Sequence, residues 1–169
     1  GATNVARVIS PLAGALNMIC DIGKCVLVII LAQRVILKDS GIDSLVITML
    51  IGVITMIGHC YPLFFHFKGG KAFACGAGLV LMCDARMFLV MILIAVILFI
   101  IYRMVSLLAL FAAVAFPLYI IVLNIKADLL WIYVILSVAA STIIILRHRE
   151  NFKRIVNGTE YKFEFKKKK

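Results

Sequence analysis

The sequence predicts an all-α fold, a polytopic integral membrane helix bundle with six spans, and three observations predict it. Hydrophobic residues occupy 64% of the 169 positions and mean hydropathy is +1.14, which excludes an ordinary soluble domain. The apolar residues fall into runs of helical length separated by short polar turns. Half of the 18 Lys and Arg lie after Leu146, at Arg147, Arg149, Lys153, Arg154, Lys162 and Lys166 through Lys169. A net charge of +10 could suggest nucleic acid. A basic tail behind a hydrophobic span instead reads as a cytoplasmic anchor that meets anionic lipids, so no nucleic-acid partner is expected. By length the chain is one domain, 1–169, with a basic cytoplasmic tail over 147–169.

The elements follow in order. Gly1 to Arg7 is small and polar, then basic. Ser10-Pro11 is a helix start, a capping hydroxyl before a residue already locked at helical φ. The first span runs from about Pro11 to Leu37. It carries Asp21 and Lys24 on one face, three apart and able to pair; at membrane depth such residues face protein, water or the interface. After the Lys38–Gly41 turn, Ile42 to Ile57 is the second span. Ala72 to Met82 is apolar, with Gly76 and Gly78 suited to close helix contact. As a helix it reaches only ~18 Å against a ~30 Å hydrocarbon core, so the loop before it should dip inward. Met87 to Asn124 would measure ~55 Å as one helix, too long for a single crossing. It must turn near Tyr102–Ser106, and Pro117 should kink the second half. Leu129 to Leu146 is the last span. No internal repeat is present. The five cysteines form no C-x-x-C pair, and no metal or redox role is expected of them.

One stretch interrupts this apolar background, Gly58 to Lys71, with two His, two Lys, a Pro and adjacent glycines. Lys68-Gly69-Gly70-Lys71 suits an anion. The glycines would allow positive φ and bring backbone N–H groups to a ligand, and the flanking ammonium groups supply charge. The spacing is not that of a Walker A loop. Counting back through six spans from a cytoplasmic tail puts Arg7, Lys68, Lys71 and Arg103 inside, and Lys38, Arg86 and Lys126 outside. Three polar segments therefore share one face: Gly1–Arg7, Gly58–Lys71 and Arg147–Glu160. Together they hold a high density of donors for anionic groups. The histidines lack an Asp at the H-x-x-x-x-D spacing, and the eight acidic residues form no D-x-x-D cluster. That argues against a Mg²⁺-dependent lipid phosphotransferase.

Three motifs carry a resemblance: G-A-T-N-x-x-R at Gly1–Arg7, G-H-x-x-P…F-K-G-G-K-x-x-A at Gly58–Ala74, and R-H-R-E-N-x-x-R…G-T-E at Arg147–Glu160. In this order, over the whole chain, they resemble the bacterial membrane glycerol-3-phosphate acyltransferases that use acyl phosphate, the PlsY family. The resemblance implies acyl transfer from acyl phosphate to the 1-hydroxyl of glycerol 3-phosphate, giving lysophosphatidic acid and phosphate, the first step of phospholipid synthesis. It implies a multi-pass protein of the bacterial inner membrane with its site at the cytoplasmic face, no cofactor, no metal and no obligate protein partner. Arg7, Lys71 and Asn151 would carry the chemistry. Thr3, Asn4, His59, Lys68, Gly69, Gly70, His148 and Arg154 would bind substrate and its phosphate, and Glu160 would organise the third motif.

The chain departs from the family pattern in two places. Ala72-Phe73-Ala74-Cys75 stands where Gly-Val-Ala-Thr is common, removing a hydroxyl at Cys75. The family pattern also has a seventh helix and an S-x-N-x element before G-A-T-N, and the chain begins at Gly1. An amino-terminal truncation that weakens the chemistry is expected on that account. The rival reading is a small polytopic transporter or channel for an anionic solute. Such proteins tend to show inverted repeats and midplane polar residues on broken helices, whereas here the polar clusters lie at one face.

Overall fold

The computed structural model describes residues 1–36 and 40–163, and among them the regular structure is entirely helical. Among the described residues eight α-helices follow one another, with a 3₁₀ turn at Leu63–Phe65 between the third and fourth: α1 (Ala2–Val8), α2 (Pro11–Ile36), α3 (Ser44–Cys60), α4 (Phe73–Cys83), α5 (Ala85–Tyr102), α6 (Val105–Leu123), α7 (Leu130–Arg147) and α8 (Arg149–Val156). Five of them, α2, α3, α5, α6 and α7, are long and apolar enough to cross a membrane, and α4 is a shorter apolar helix. All six expected apolar segments are thus helices. Lys38 and the Lys166–Lys169 run lie outside the described residues.

The boundaries follow local chemistry. The Ser10 hydroxyl accepts the Ala13 N–H at 3.1 Å and starts α2. Asp43 caps α3 by accepting from Val46 at 2.9 Å, and Asp84 caps α5 by accepting from Arg86 at 2.7 Å. The long apolar run breaks at Arg103, which takes a left-handed conformation (φ 58°) and ends α5. The Phe163 N–H donates to the Arg103 carbonyl at 2.9 Å, tying the chain after α8 to that turn. Pro117 lies inside α6, where it removes one helical donor.

Short α4 is the hub, packed against α2, α3, α5 and α7. Its small residues permit this. A Cβ on Gly78 would meet the Ile22 carbonyl of α2 at 2.8 Å, and one on Gly76 would meet Ile144 of α7 at 3.1 Å. Cys75, Leu79, Met49, Met56 and Cys25 are fully buried around it. Helix α5 shows the opposite character. Leu89, Val90, Leu93, Ile97 and Ile100 are exposed, which suits a helix whose outer face meets lipid rather than water.

Two helices were not expected from the apolar pattern. The Gly1–Arg7 segment forms α1, which lies on α2 so closely that a Cβ at Gly14 would sit 2.4 Å from the Ala6 Cβ. The segment after α7 forms α8, a polar amphipathic helix whose buried residue is Asn151.

Candidate functional site

The three polar segments meet at one end of the bundle, around a cleft of about 800 Å³. Thr3, Asn4 and Arg7 line it from α1, His59 from the end of α3, and Gly69, Gly70 and Lys71 from the loop. His148, Asn151, Arg154 and Glu160 line it from α8 and its flanks. These are the residues expected from the sequence, with one exception. Lys68 is exposed and does not line the cleft, and its backbone N–H turns back to the Phe65 carbonyl at 3.0 Å.

The segments are joined by a polar chain. Lys71 Nζ donates to Asn151 Oδ1 at 2.5 Å. Asn151 Nδ2 donates to Glu160 Oε1 at 2.7 Å, and Arg154 Nε donates to Glu160 Oε2 at 2.8 Å. The Ser106 hydroxyl of α6 also donates to Glu160 Oε1. Glu160 is therefore the acceptor that fixes three donors. Burial alone would raise its pKa, but these hydrogen bonds outweigh burial and hold its carboxyl below the usual carboxylate range. Burial pushes the Lys71 ammonium down, and the nearby Arg154 charge adds to the effect. Arg7 donates to Asn4 Oδ1 at 2.9 Å and lies over the Tyr161 ring at 5.6 Å. Arg7, Lys71 and Arg154 thus bring three cationic side chains to the walls of one cleft.

The glycine loop works differently from the expectation. Neither Gly69 nor Gly70 has positive φ; the left-handed residues nearby are His66, Phe67 and Ala72. Nor are the glycine N–H groups offered to a ligand. Gly69 donates to the Cys60 carbonyl and Gly70 to the His59 carbonyl, both at 3.1 Å, folding the loop onto the last turn of α3. Their carbonyls accept from Arg147, at 3.0 Å for Gly69 and 3.1 Å for Gly70, and Arg147 lies over the Tyr61 ring at 5.2 Å. Glycine is required here by close approach: a Cβ on Gly69 would lie 2.1 Å from the His59 carbonyl oxygen, and one on Gly70 would lie 2.0 Å from His59 Nε2. Uncapped backbone donors lie instead at the start of α4, beside Lys71. No side chain caps that helix, and Ala72, Phe73 and Ala74 line the cleft. An uncapped helix N-terminus favours negative charge through its free N–H groups and its dipole.

The two histidines of the cleft differ. His148 is buried, and its Nδ1 lies 2.9 Å from the Ile144 carbonyl. A carbonyl only accepts, so Nδ1 carries the proton. Burial pushes the ring's pKa down. The neutral ring leaves Nε2 as an acceptor, which suits a substrate hydroxyl. His59 is engaged at Nδ1 by the Asp21–Lys24 pair of α2, with Lys24 Nζ 2.6 Å from both Asp21 Oδ1 and His59 Nδ1. The expected pairing of Asp21 with Lys24 is present, at the inner edge of the site.

Four contributors escaped the sequence reading of the site. Arg147 and Ser106 act through others, on the glycine carbonyls and on Glu160. Asp21 and Lys24 reach His59 across 35 residues of sequence. A signal existed for Ser106, one of two interior polar residues, with Arg103, in the Met87–Asn124 run. Nothing in the spacing of Arg147 told its clamp from a ligand.

The chain matches the family model described as Glycerol-3-phosphate acyltransferase over residues 1–158. It is 35% identical over 160 residues to a glycerol-3-phosphate acyltransferase of Prochlorococcus marinus (strain NATL1A), covering 95% of this chain and 78% of the relative. With a protein of the same name from Enterococcus faecalis (strain ATCC 700802 / V583) the identity is 36% over 170 residues, covering 98% and 76%. Two solved structures of PlsY, an integral membrane glycerol 3-phosphate acyltransferase, are similar to it. The glycerol 3-phosphate form superposes with a TM-score of 0.80 at 34% identity, covering 97% of this chain and 78% of that one. For the lysophosphatidic acid form the values are 0.82, 33%, 97% and 79%.

Proposed function

The chain belongs to the glycerol-3-phosphate acyltransferase family, and on that premise we propose that it moves an acyl chain from acyl phosphate to the 1-hydroxyl of glycerol 3-phosphate. The hydroxyl oxygen attacks the acyl carbonyl carbon, the bond from that carbon to the phosphate oxygen breaks, and the hydroxyl proton leaves with the phosphate. Lysophosphatidic acid and inorganic phosphate are the products. The observation that supports this most is the convergence of Arg7, Lys71 and Arg154, from three separate segments, on one cleft at the end of an apolar bundle. Two anionic substrates, one with a lipid tail, need both features at once.

In this reading Arg7, Lys71 and Arg154 and the start of α4 hold the two phosphates. Thr3 and Asn4 add neutral donors from α1, and Asn151 orients Lys71 through its amide oxygen. His148 Nε2 accepts from a substrate hydroxyl. Glu160 stays ionised and structural. Acyl phosphate is already activated, so orientation and charge stabilisation suffice without a covalent enzyme intermediate. The site faces the cytoplasm of the bacterial inner membrane, as the distribution of Lys and Arg supports, and residues 1–169 act as one domain. No cofactor or metal takes part in this scheme.

The test is phosphate release from acyl phosphate by the protein in liposomes, with and without glycerol 3-phosphate. Release should require glycerol 3-phosphate and be matched one for one by lysophosphatidic acid. Equal release in its absence would make the protein a hydrolase and contradict the proposal.

A further inference from the structure

His59 sits where the cleft meets a polar cluster on α2, in which Asp21 is buried and Lys24 is 42% exposed. Asp21 accepts from Asn17 Nδ2 on one oxygen at 2.8 Å and from Lys24 on the other at 2.6 Å. Both partners are donors, which fits an ionised carboxylate. The same Lys24 Nζ lies 2.6 Å from His59 Nδ1, while Asp21 Oδ1 stands off from Nδ1 at 3.5 Å. An ammonium has three donors and no acceptor. The Nδ1 atom facing it must therefore be the lone pair, and the ring proton belongs on Nε2.

The other edge of the ring lies against Gly70, where even a methyl group would come within 2.0 Å of Nε2. Both His59 and Gly70 line the cleft. Among the described residues, Ser141 Oγ is the only buried polar side-chain atom without a partner. His59 Nε2 makes no hydrogen bond among the described residues, and the His59 side chain keeps 11% of its exposure.

We propose that Lys24, held by Asp21, is a positioning residue that fixes the tautomer of His59, so that His59 presents an N–H donor to the cleft and does not serve as a general base. The acyltransferase reading enters only in naming what that donor meets, an oxygen of the reacting acyl phosphate that gains negative charge. A fixed donor aimed at such an oxygen requires no reorganisation during the reaction.

The test is ring ¹⁵N NMR of the histidine-labelled protein in micelles. Only three histidines are present, and His59→Gln and His66→Gln identify the signals by subtraction. In the wild type and in Lys24→Arg, which keeps a donor-only cation, His59 should be neutral and protonated at Nε2. Lys24→Met should give mixed tautomers. A wild-type His59 protonated at Nδ1, or doubly protonated at neutral pH, overturns the assignment. A kinetic arm separates donor from base. His59→Gln places an amide N–H near the Nε2 position and should keep turnover within about tenfold, whereas His59→Leu should lose about 10²–10³-fold. Equal loss in both variants would refute the donor role. If the wild type itself transfers no acyl group, the acyltransferase reading fails, while the spectrum still decides the tautomer.

Discussion

Glu160→Gln is the sharpest probe of how the third segment is built. The carboxylate accepts from Ser106 and Asn151 on Oε1 and from Arg154 on Oε2, and its side chain is only 5% exposed. A glutamine of the same shape has one acceptor oxygen. With that oxygen toward Ser106 and Asn151, its NH₂ faces the Arg154 guanidinium, donor against donor. With the amide reversed, Asn151 must flip to find an acceptor, and Lys71 then loses the Asn151 oxygen that it now meets at 2.5 Å. Either way at least one charge-assisted bond is lost, worth ~1.5–3 kcal/mol. Arg154 is 46% exposed, so water recovers part of this and the lower end applies. Turnover should fall ~10-fold or more, because a ~1.4 kcal/mol change is a factor of ten, and the melting temperature in detergent should drop with it. The pH dependence gives a second signature. The folded carboxyl is held below its ordinary value, so its contribution to stability is fully present above an unfolded pKa of about 4.3 and disappears as pH falls through the depressed folded value. Glu160→Gln should flatten that acid limb. Unchanged melting, kinetics and acid limb would refute the Glu160 network as the organiser of the site.

Other expectations follow from single contacts. Gly70→Ala should strongly reduce turnover, because the added methyl displaces His59, whereas Gly58→Ala, with nothing within 4 Å of its Cβ, should leave turnover unchanged and stabilise α3 by up to ~1 kcal/mol; enzyme assays and thermal melts check both. The depressed Lys71 ammonium should weaken glycerol 3-phosphate binding on the alkaline side earlier than an ordinary lysine would, and Lys71→Arg should move that limb up in a KM–pH profile. An impermeant thiol reagent should label Lys126→Cys on intact cells and Lys153→Cys only after permeabilisation; the reverse pattern would put the site on the wrong face.

Much of this fold was legible because apolar runs report membrane helices directly. The break in Met87–Asn124 was set by length alone and falls at Arg103. Helices α1 and α8 were not legible as helices. At 7 and 8 residues, they are stabilised mainly by packing, and neither has an apolar run. Most residues that line the cleft from the three polar segments were legible by charge and motif, yet the glycines do a different job from the one expected. Spacing tells that glycine is needed, but not whether for φ or for closeness, and here the His59 ring decides for closeness. Lys24 and His59 meet only because α2 and α3 pack side by side, a tertiary fact that local sequence does not carry.

Three separated segments are proposed to build one anion site. Equilibrium binding of glycerol 3-phosphate to the wild type and to Arg7→Ala, Lys71→Ala and Arg154→Ala tests it most directly. Each charge comes from a different segment, and removing a charge-assisted bond costs ~1.5–3 kcal/mol, roughly 10- to 150-fold in affinity. One ligand per chain is expected, with weakened binding and a retained fold in all three variants. Undiminished binding in all three would contradict it.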